Sequence, residues 1–164
     1  MPATHTTTTL TFGTDASGRP TMSVKNKNGS IRNVTYQGVF RIHLEAMQLL
    51  DVAMELRQTG AYMLPGGTIS VWFPNMLTTR NDEWNNRFLE NDTVIEVRIP
   101  SKPRRNATVW SERLYITFAK VDNKGYRFVG LFEEDVSAAR PGVLVYKRRD
   151  DVTSIAVDAA VTTI

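Results

Sequence analysis

Residues 113–132 read RLYITFAKVDNKGYRFVGLF, and no other stretch limits the fold as strongly. Two apolar runs rich in aromatic and β-branched side chains flank a polar turn. Such runs fit the pleated, packed surface of a sheet. The turn ends at Gly125, which is free to take the positive φ that a bulged hairpin loop needs. In the first run Leu114, Ile116 and Phe118 share one face, and Tyr115 and Thr117 the other. In the second, strict alternation puts Tyr126, Phe128, Gly130 and Phe132 on one side, opposite Arg127, Val129 and Leu131. Both faces are apolar apart from Arg127, so this strand is expected to be central in its sheet. A glycine inside such a strand marks a bulge or a close approach of backbone, which singles out Gly130.

Most of the remaining chain reads as further short strands. LTFGT and PTMSVKN, separated by the turn signal DASGRP, lead to Asn28-Gly29 and the alternating Ile31, Val34 and Tyr36. This predicts a β-meander over residues 10–37, preceded by a frayed tail at 1–9. TISVWF, TVIEVRIP and VLVYKRRD are strands, and DVTSIAVDAAVTTI is a strand or a loose end. One segment changes period. In VFRIHLEAMQLLDVAMELRQTG, Ile42, Ala46, Leu49, Ala53 and Leu56 recur at helical spacing, and Leu44, Met47, Leu50 and Met54 widen the stripe. Arg41 and Glu45 stand four apart and suit an ion pair, and Gly60 supplies the stop. A second, short helix is expected after Thr79 or Asn81, with Trp84 and Phe88 on one face. The fold class is α+β, with a twisted, mainly antiparallel sheet or small closed β-barrel, one long helix and one short helix. A single domain over residues 1–164 accommodates it.

The chain has no cysteine, which excludes disulfides, thiolate zinc sites and a cysteine nucleophile. Its start, MPATHTTTTLTFGT, lacks the apolar core of a signal peptide, and no apolar run is long enough to span a bilayer. A cytoplasmic protein with no membrane partner is expected. The net charge of +3 permits an anionic partner without requiring one.

Residue chemistry argues against a catalytic set. Of the two histidines, His5 lies in the tail and His43 in the long helix, as a residue at the surface or the edge of the core. Asp92 followed by Glu96-Val97-Arg98 resembles the acid, acid-x-Lys pattern of metal-dependent nucleases. Its last member, however, is an arginine, which cannot surrender a proton to act as base. LPGGT lacks the Gly-Lys-Ser/Thr of a phosphate loop. No catalytic residue, metal or cofactor is expected. Binding chemistry is better represented. Lys102, Arg104 and Arg105 crowd one proline-stiffened loop, Lys147, Arg148 and Arg149 end a strand, and Lys25, Lys27 and Arg32 surround the Asn-Gly turn. Guanidinium forks suit phosphate oxygens, so Lys102, Arg104, Arg105 and Arg80 are the candidate phosphate contacts. Trp72, Trp84 and Trp110 each stand near polar residues, including Asn85 and Asn86. A base held outside its duplex uses aromatic faces and amide groups of this kind.

The C-terminal stretch RLYITFAKVDNKGYRFVGLFEEDVSAARPGVLVYKRRDDVTSI, residues 113–155, resembles the closing sheet of small bacterial PUA-like domains. An apolar strand, a polar turn, a Tyr-x-Phe-x-Gly strand and a late basic strand carry the resemblance. That group includes SRA- and EVE-like modules, which read modified bases and are often attached to restriction or defence nucleases. The resemblance implies a non-catalytic nucleic-acid reader in a bacterial or phage defence setting. Two alternatives remain open. One is a protein-interaction module, such as a phage-encoded inhibitor or a toxin–antitoxin or assembly component, with a protein partner or a homodimer. The other is a metal-dependent nuclease using Asp92 and Glu96.

Overall fold

The structure, a computed structural model, describes residues 7–50, 61–64, 68–77, 85–98 and 113–158. Strands dominate it. In chain order they are β1 (Thr7–Thr14), β2 (Pro20–Lys25), β3 (Ile31–Val34), β4 (Val39–Phe40), β5 (Ala61–Met63) and β6 (Ile69–Trp72). After these come β7 (Asn85–Leu89), β8 (Val94–Arg98), β9 (Leu114–Asp122), β10 (Gly125–Glu134), β11 (Val143–Arg148) and β12 (Ser154–Asp158). One α-helix, α1 (His43–Leu49), follows β4. The expected α+β class is what forms.

Two sheets share the strands. The smaller runs β12-β1-β2-β3 and contains the predicted meander. The larger runs β5-β6-β9-β10-β11-β8-β7, with β4 paired to β10. The β6–β9 pairing is parallel and the others are antiparallel. The long hairpin is β9–β10. As its composition demands, β10 is central: β9 lies along one edge, and β4 and β11 divide the other.

Apolar side chains of the two sheets meet in one core. Leu10, Met22, Val24 and Val34 come from the small sheet, and Val71, Ile116, Phe118, Phe128 and Leu131 from the large one. Ala46, Met47, Leu49 and Leu50 pack α1 onto the same core, as the helical stripe predicts, whereas Ile42 and Leu44 are exposed. Glu45 Oε2 accepts the Arg41 backbone N–H at 3.4 Å, so the expected four-residue pair meets through the main chain. The rest of the predicted helix, 51–60, lies outside the described residues. A second core fills the opposite face of β9–β10. There Ile95 and Val97 of β8 pack with Tyr115, Ala119, Val129 and Phe132, so β11-β8-β7 fold back over the hairpin.

Four expectations need correction. First, the sheet does not close into a barrel. Its hydrogen-bonded path ends at β5 and β7. The far end of β9 is already engaged by residues 74–76: Lys120 N–H donates to Pro74 O and Met76 N–H to Lys120 O, both at 2.9 Å. β7 reaches this segment through a side chain instead, Asn86 Nδ2 donating to Asn75 O at 3.2 Å. Second, Asn85–Leu89 is a strand and not the end of a short helix. Phe88 lies opposite Ile95 and Leu89 opposite Val94, across a turn whose Glu90, Asn91 and Asp92 all have positive φ (51°, 56° and 64°). A ladder to β8, itself anchored on β11, outweighs the local helical spacing. Thr79, Asn81 and Trp84 are outside the described residues.

Third, the tail is shorter than expected. Thr7–Thr9 already belong to β1, opposite Ala156–Asp158 of β12, because the C-terminal segment supplies a partner far away in sequence. Fourth, alternation along β10 breaks at Val129. Phe128 pairs with Phe118 but Gly130 with Thr117, a β-bulge. Beyond it Leu131 joins Phe128 in the inter-sheet core, while Phe132 joins Tyr115 on the other face. One extra residue inverts every later side chain.

Candidate functional site

The hairpin β7–β8 and strand β11 form a three-stranded ribbon whose outward face is set by register. Arg87 lies opposite Glu96, and Glu96 opposite Val145; Asn85 lies opposite Arg98, and Arg98 opposite Val143. Glu96 is the centre of this face and its side chain is only 4% exposed. Three guanidinium groups surround it. Arg87 Nε donates to Oε1 at 2.9 Å, Arg140 Nη2 donates to Oε2 at 2.8 Å, and Arg98 Nε stands 4.0 Å from Oε1. The Arg140 hydrogen bond, aided by the charge of Arg87, holds the Glu96 carboxyl below its usual range despite burial. All three arginine side chains are themselves more than half exposed, at 60, 53 and 63%.

Among the described residues, three cations about one carboxylate leave two positive charges in excess. The buried glutamate orients the guanidinium planes, and each plane keeps further N–H donors for an incoming anion. Val94, Val143 and Val145 share this face beside Glu96, with Leu89 and Ala138 packed against them. Sequence reasoning missed this face because its charges come from three separate elements. The triplet Glu96-Val97-Arg98 alone reads as solvated strand residues.

The opposite face of the ribbon is aromatic. Tyr146, opposite Ile95 and Glu134 in register, stacks obliquely against Trp72 (centroids 4.7 Å) and edge-on to Tyr115 (5.5 Å). Trp72 meets Tyr115 at 5.8 Å. Burial pushes the Tyr146 hydroxyl well above its usual range, with the neighbouring Tyr115 and Glu134 adding to the effect. Burial likewise raises Glu134. Arg113, buried, donates to Ser70 Oγ at 2.8 Å at the end of this cluster.

The structure separates the residues that sequence reading had grouped. Trp72 is half-buried in the aromatic cluster. Asn85 and Asn86 face opposite sides of β7, since one pairs with Arg98 and the next with Val97. They therefore do not line one pocket, and the Asn86 amide is spent on Asn75. Lys102, Arg104, Arg105, Arg80, Trp84 and Trp110 lie outside the described residues. The basic triplet at the end of β11 is internally neutralised. Lys147 pairs with Asp135 at 2.7 Å, Arg148 with Asp150 at 2.9 Å, and Arg149 with Asp151 at 2.8 Å and also with Glu133. Asp135 is thereby lowered to about 2. Arg127 is structural as well, bound to Asp122 and to the Tyr36 carbonyl at 3.0 Å. The acid pair considered for a metal does not assemble: Asp92 is in the turn, and both oxygens of Glu96 face arginines. Among the described residues no group of three or more His, Asp or Glu side chains is placed to hold a metal ion. No helix among them is long and apolar enough to cross a membrane.

No known protein family and no curated protein matches the chain. Among solved structures, the 5-hydroxymethylcytosine-specific restriction enzyme AbaSI is similar over 65% of this chain and 36% of its own, about a third of its length. The TM-score is 0.41 and the sequence identity 19%. A likeness of that degree bears on neither fold nor function.

Proposed function

We propose that the protein is a nucleic-acid-binding module that grips the phosphate backbone. The observation that carries this reading is the outward face of β7-β8-β11, where Arg87, Arg98 and Arg140 crowd around the buried Glu96. Exposed guanidinium forks held in place by a buried carboxylate suit bidentate phosphate contact. The segment that follows Arg98 in sequence contains Lys102, Arg104 and Arg105, which would extend the cationic track, and Arg80 joins them as a proposed contact. Base recognition is assigned to Trp84 or Trp110 with Asn85, because Trp72 and Asn86 lie on the aromatic face of the ribbon, away from the arginines. The resemblance of residues 113–155 to PUA-like domains extends the reading to a modified or flipped base.

The test is fluorescence-anisotropy titration of labelled single- and double-stranded DNA and RNA at several salt concentrations. Binding is expected to weaken steeply with salt, and Arg98→Gln is expected to reduce the slope of log K against log salt by about one. Arg98 is the right probe because Glu96 keeps its hydrogen bonds from Arg87 and Arg140 without it. Salt-independent binding, or unchanged binding by a variant combining Arg98→Gln with Arg104→Glu and Arg105→Glu, would sink the proposal.

A second reading has an observation of its own. β3 is an edge strand of the small sheet, and its Ile31 side is 64% exposed. Such an edge can add a strand from a protein partner or a second copy. Sedimentation of the wild type and of Ile31→Lys tests it; a monomer in both removes the homodimer form.

A further inference from the structure

Where the β2–β3 hairpin meets α1, the layers leave an open cleft of about 520 Å³. Its walls are fixed relative to each other, because Asn26 Nδ2 in the hairpin donates to Leu49 O at the end of the helix, at 3.0 Å. One wall carries Arg32, which lies opposite the buried Val24 in register and so projects from the inner face of the small sheet at its rim. The other carries Glu45 and Gln48, three apart on α1 and therefore on one helix face. Val39 and Phe40 of β4 supply an apolar floor. Asn28 spends its side-chain oxygen on the Ser30 backbone N–H at 3.0 Å and on the Ser30 hydroxyl, which leaves its NH₂ for a ligand.

These groups make an ordered set. A guanidinium suits a tetrahedral anion. A carboxylate accepts hydrogen bonds from two neighbouring hydroxyls. Primary amides read the donor–acceptor edge of a base, and an aromatic floor accepts its flat face. The volume lies within the range of roughly 300–1,000 Å³ usual for small-molecule sites, larger than an isolated phosphate or amino acid needs. We infer that this cleft binds a nucleoside monophosphate, with phosphate on Arg32, ribose hydroxyls on Glu45 and the base edge on Gln48 and Asn28. The nucleotide is either free or an unpaired unit of a strand. The cleft is separate from the arginine face of β7-β8-β11 and does not depend on it.

The experiment is an amide-resolved NMR titration of the full chain with the four nucleoside 5′-monophosphates and their 2′-deoxy counterparts, the matching nucleosides, inorganic phosphate and a short single-stranded RNA. At least one monophosphate or the RNA is expected to shift the amides of Arg32, Glu45 and Gln48. A monophosphate that binds should do so about tenfold more tightly than its nucleoside. Arg32→Gln should remove that advantage, and Glu45→Gln should erase the preference for ribose over 2′-deoxyribose. Shifts with RNA alone identify the source as a strand, and shifts with monophosphates identify it as a free nucleotide. Unshifted cleft amides with every probe, or equal binding by Arg32→Gln and wild type, overturn the inference. Arg98→Gln should leave these shifts unchanged, so failure here and failure at the arginine face are told apart.

Discussion

The imidazole of His43 lies parallel to the ring of Phe73, with centroids 4.1 Å apart and planes inclined by 10°. Tyr62 and Tyr126 meet the same imidazole edge-on, and Nδ1 is 2.9 Å from the Tyr62 hydroxyl. This aromatic box ties α1 to the large sheet and desolvates the imidazole, which lowers its pKa from the ordinary 6.5. The unfolded chain then takes up the proton before the folded one does. The His43 contribution to stability is therefore present above about pH 6.5 and is lost as pH falls from there to the lower pKa of the folded state. Thermal unfolding between pH 7.5 and 5 should show the decline. His43→Phe should flatten it in that window; an unchanged slope would show that another group is responsible.

Two glycines of the hairpin should differ in their tolerance of a side chain. Both have positive φ, 142° at Gly125 and 126° at Gly130. A Cβ on Gly125 would come within 2.4 Å of the Phe40 carbonyl oxygen, which is backbone of β4 and cannot swing away. On Gly130 the nearest atoms are Arg148 Cδ at 2.9 Å and Pro20 Cγ at 3.2 Å, side-chain atoms with some freedom. Gly130→Ala is expected to cost about 2 kcal/mol, mainly from backbone strain, and Gly125→Ala more. Chemical denaturation ranks them directly, and the reverse order would contradict the close approach of β4.

Glu96 and its arginines make a thermodynamic cycle. Replacing both Arg87 and Arg140 by Gln leaves a nearly buried carboxylate with Arg98, 4.0 Å away, as its remaining charged partner among the described residues. The partners are largely exposed, which weakens the pair, so the expected cost is about 2 kcal/mol rather than the larger values of fully buried pairs. Adding Glu96→Gln should restore part of the loss, because the stranded charge is then gone. If the triple variant is no more stable than the double, the carboxylate is not what the arginines stabilise.

Arg127 should behave as a staple between turns. It is buried, pairs with Asp122 at 3.2 Å and donates to the carbonyls of Tyr36 and Gln37. Arg127→Met keeps the bulk and removes the donors, leaving those carbonyls short of partners. A loss of about 2 kcal/mol is expected. Hydrogen exchange should quicken first in the 35–38 turn and in β4; uniform quickening would mean that Arg127 does not anchor this turn.

Local chemistry in the sequence determined a good deal. The aromatic runs of 114–132 specify a strand covered on both faces, Asn28-Gly29 specifies a hairpin, and the stripe through Ala46 and Leu49 specifies a helix, all from patterns a few residues long. Gly130 was legible as a bulge or a close approach, the two uses a strand glycine most often has. What the bulge does was not legible. Sending Leu131 and Phe132 to opposite cores depends on which residue of β9 stands across from them, a long-range choice. The same holds for Asn85–Leu89, where helical spacing yielded to a ladder with β8, and for the open sheet, where residues 74–76 occupy the end of β9. The candidate site was almost wholly tertiary. Glu96 and Arg98 looked like a strand acid beside a base, and Arg87 like part of a short helix. Only β7–β8 and β8–β11 pairing brings them around one buried carboxylate, because a carboxylate taken out of water must find its counter-charges wherever the fold can deliver them.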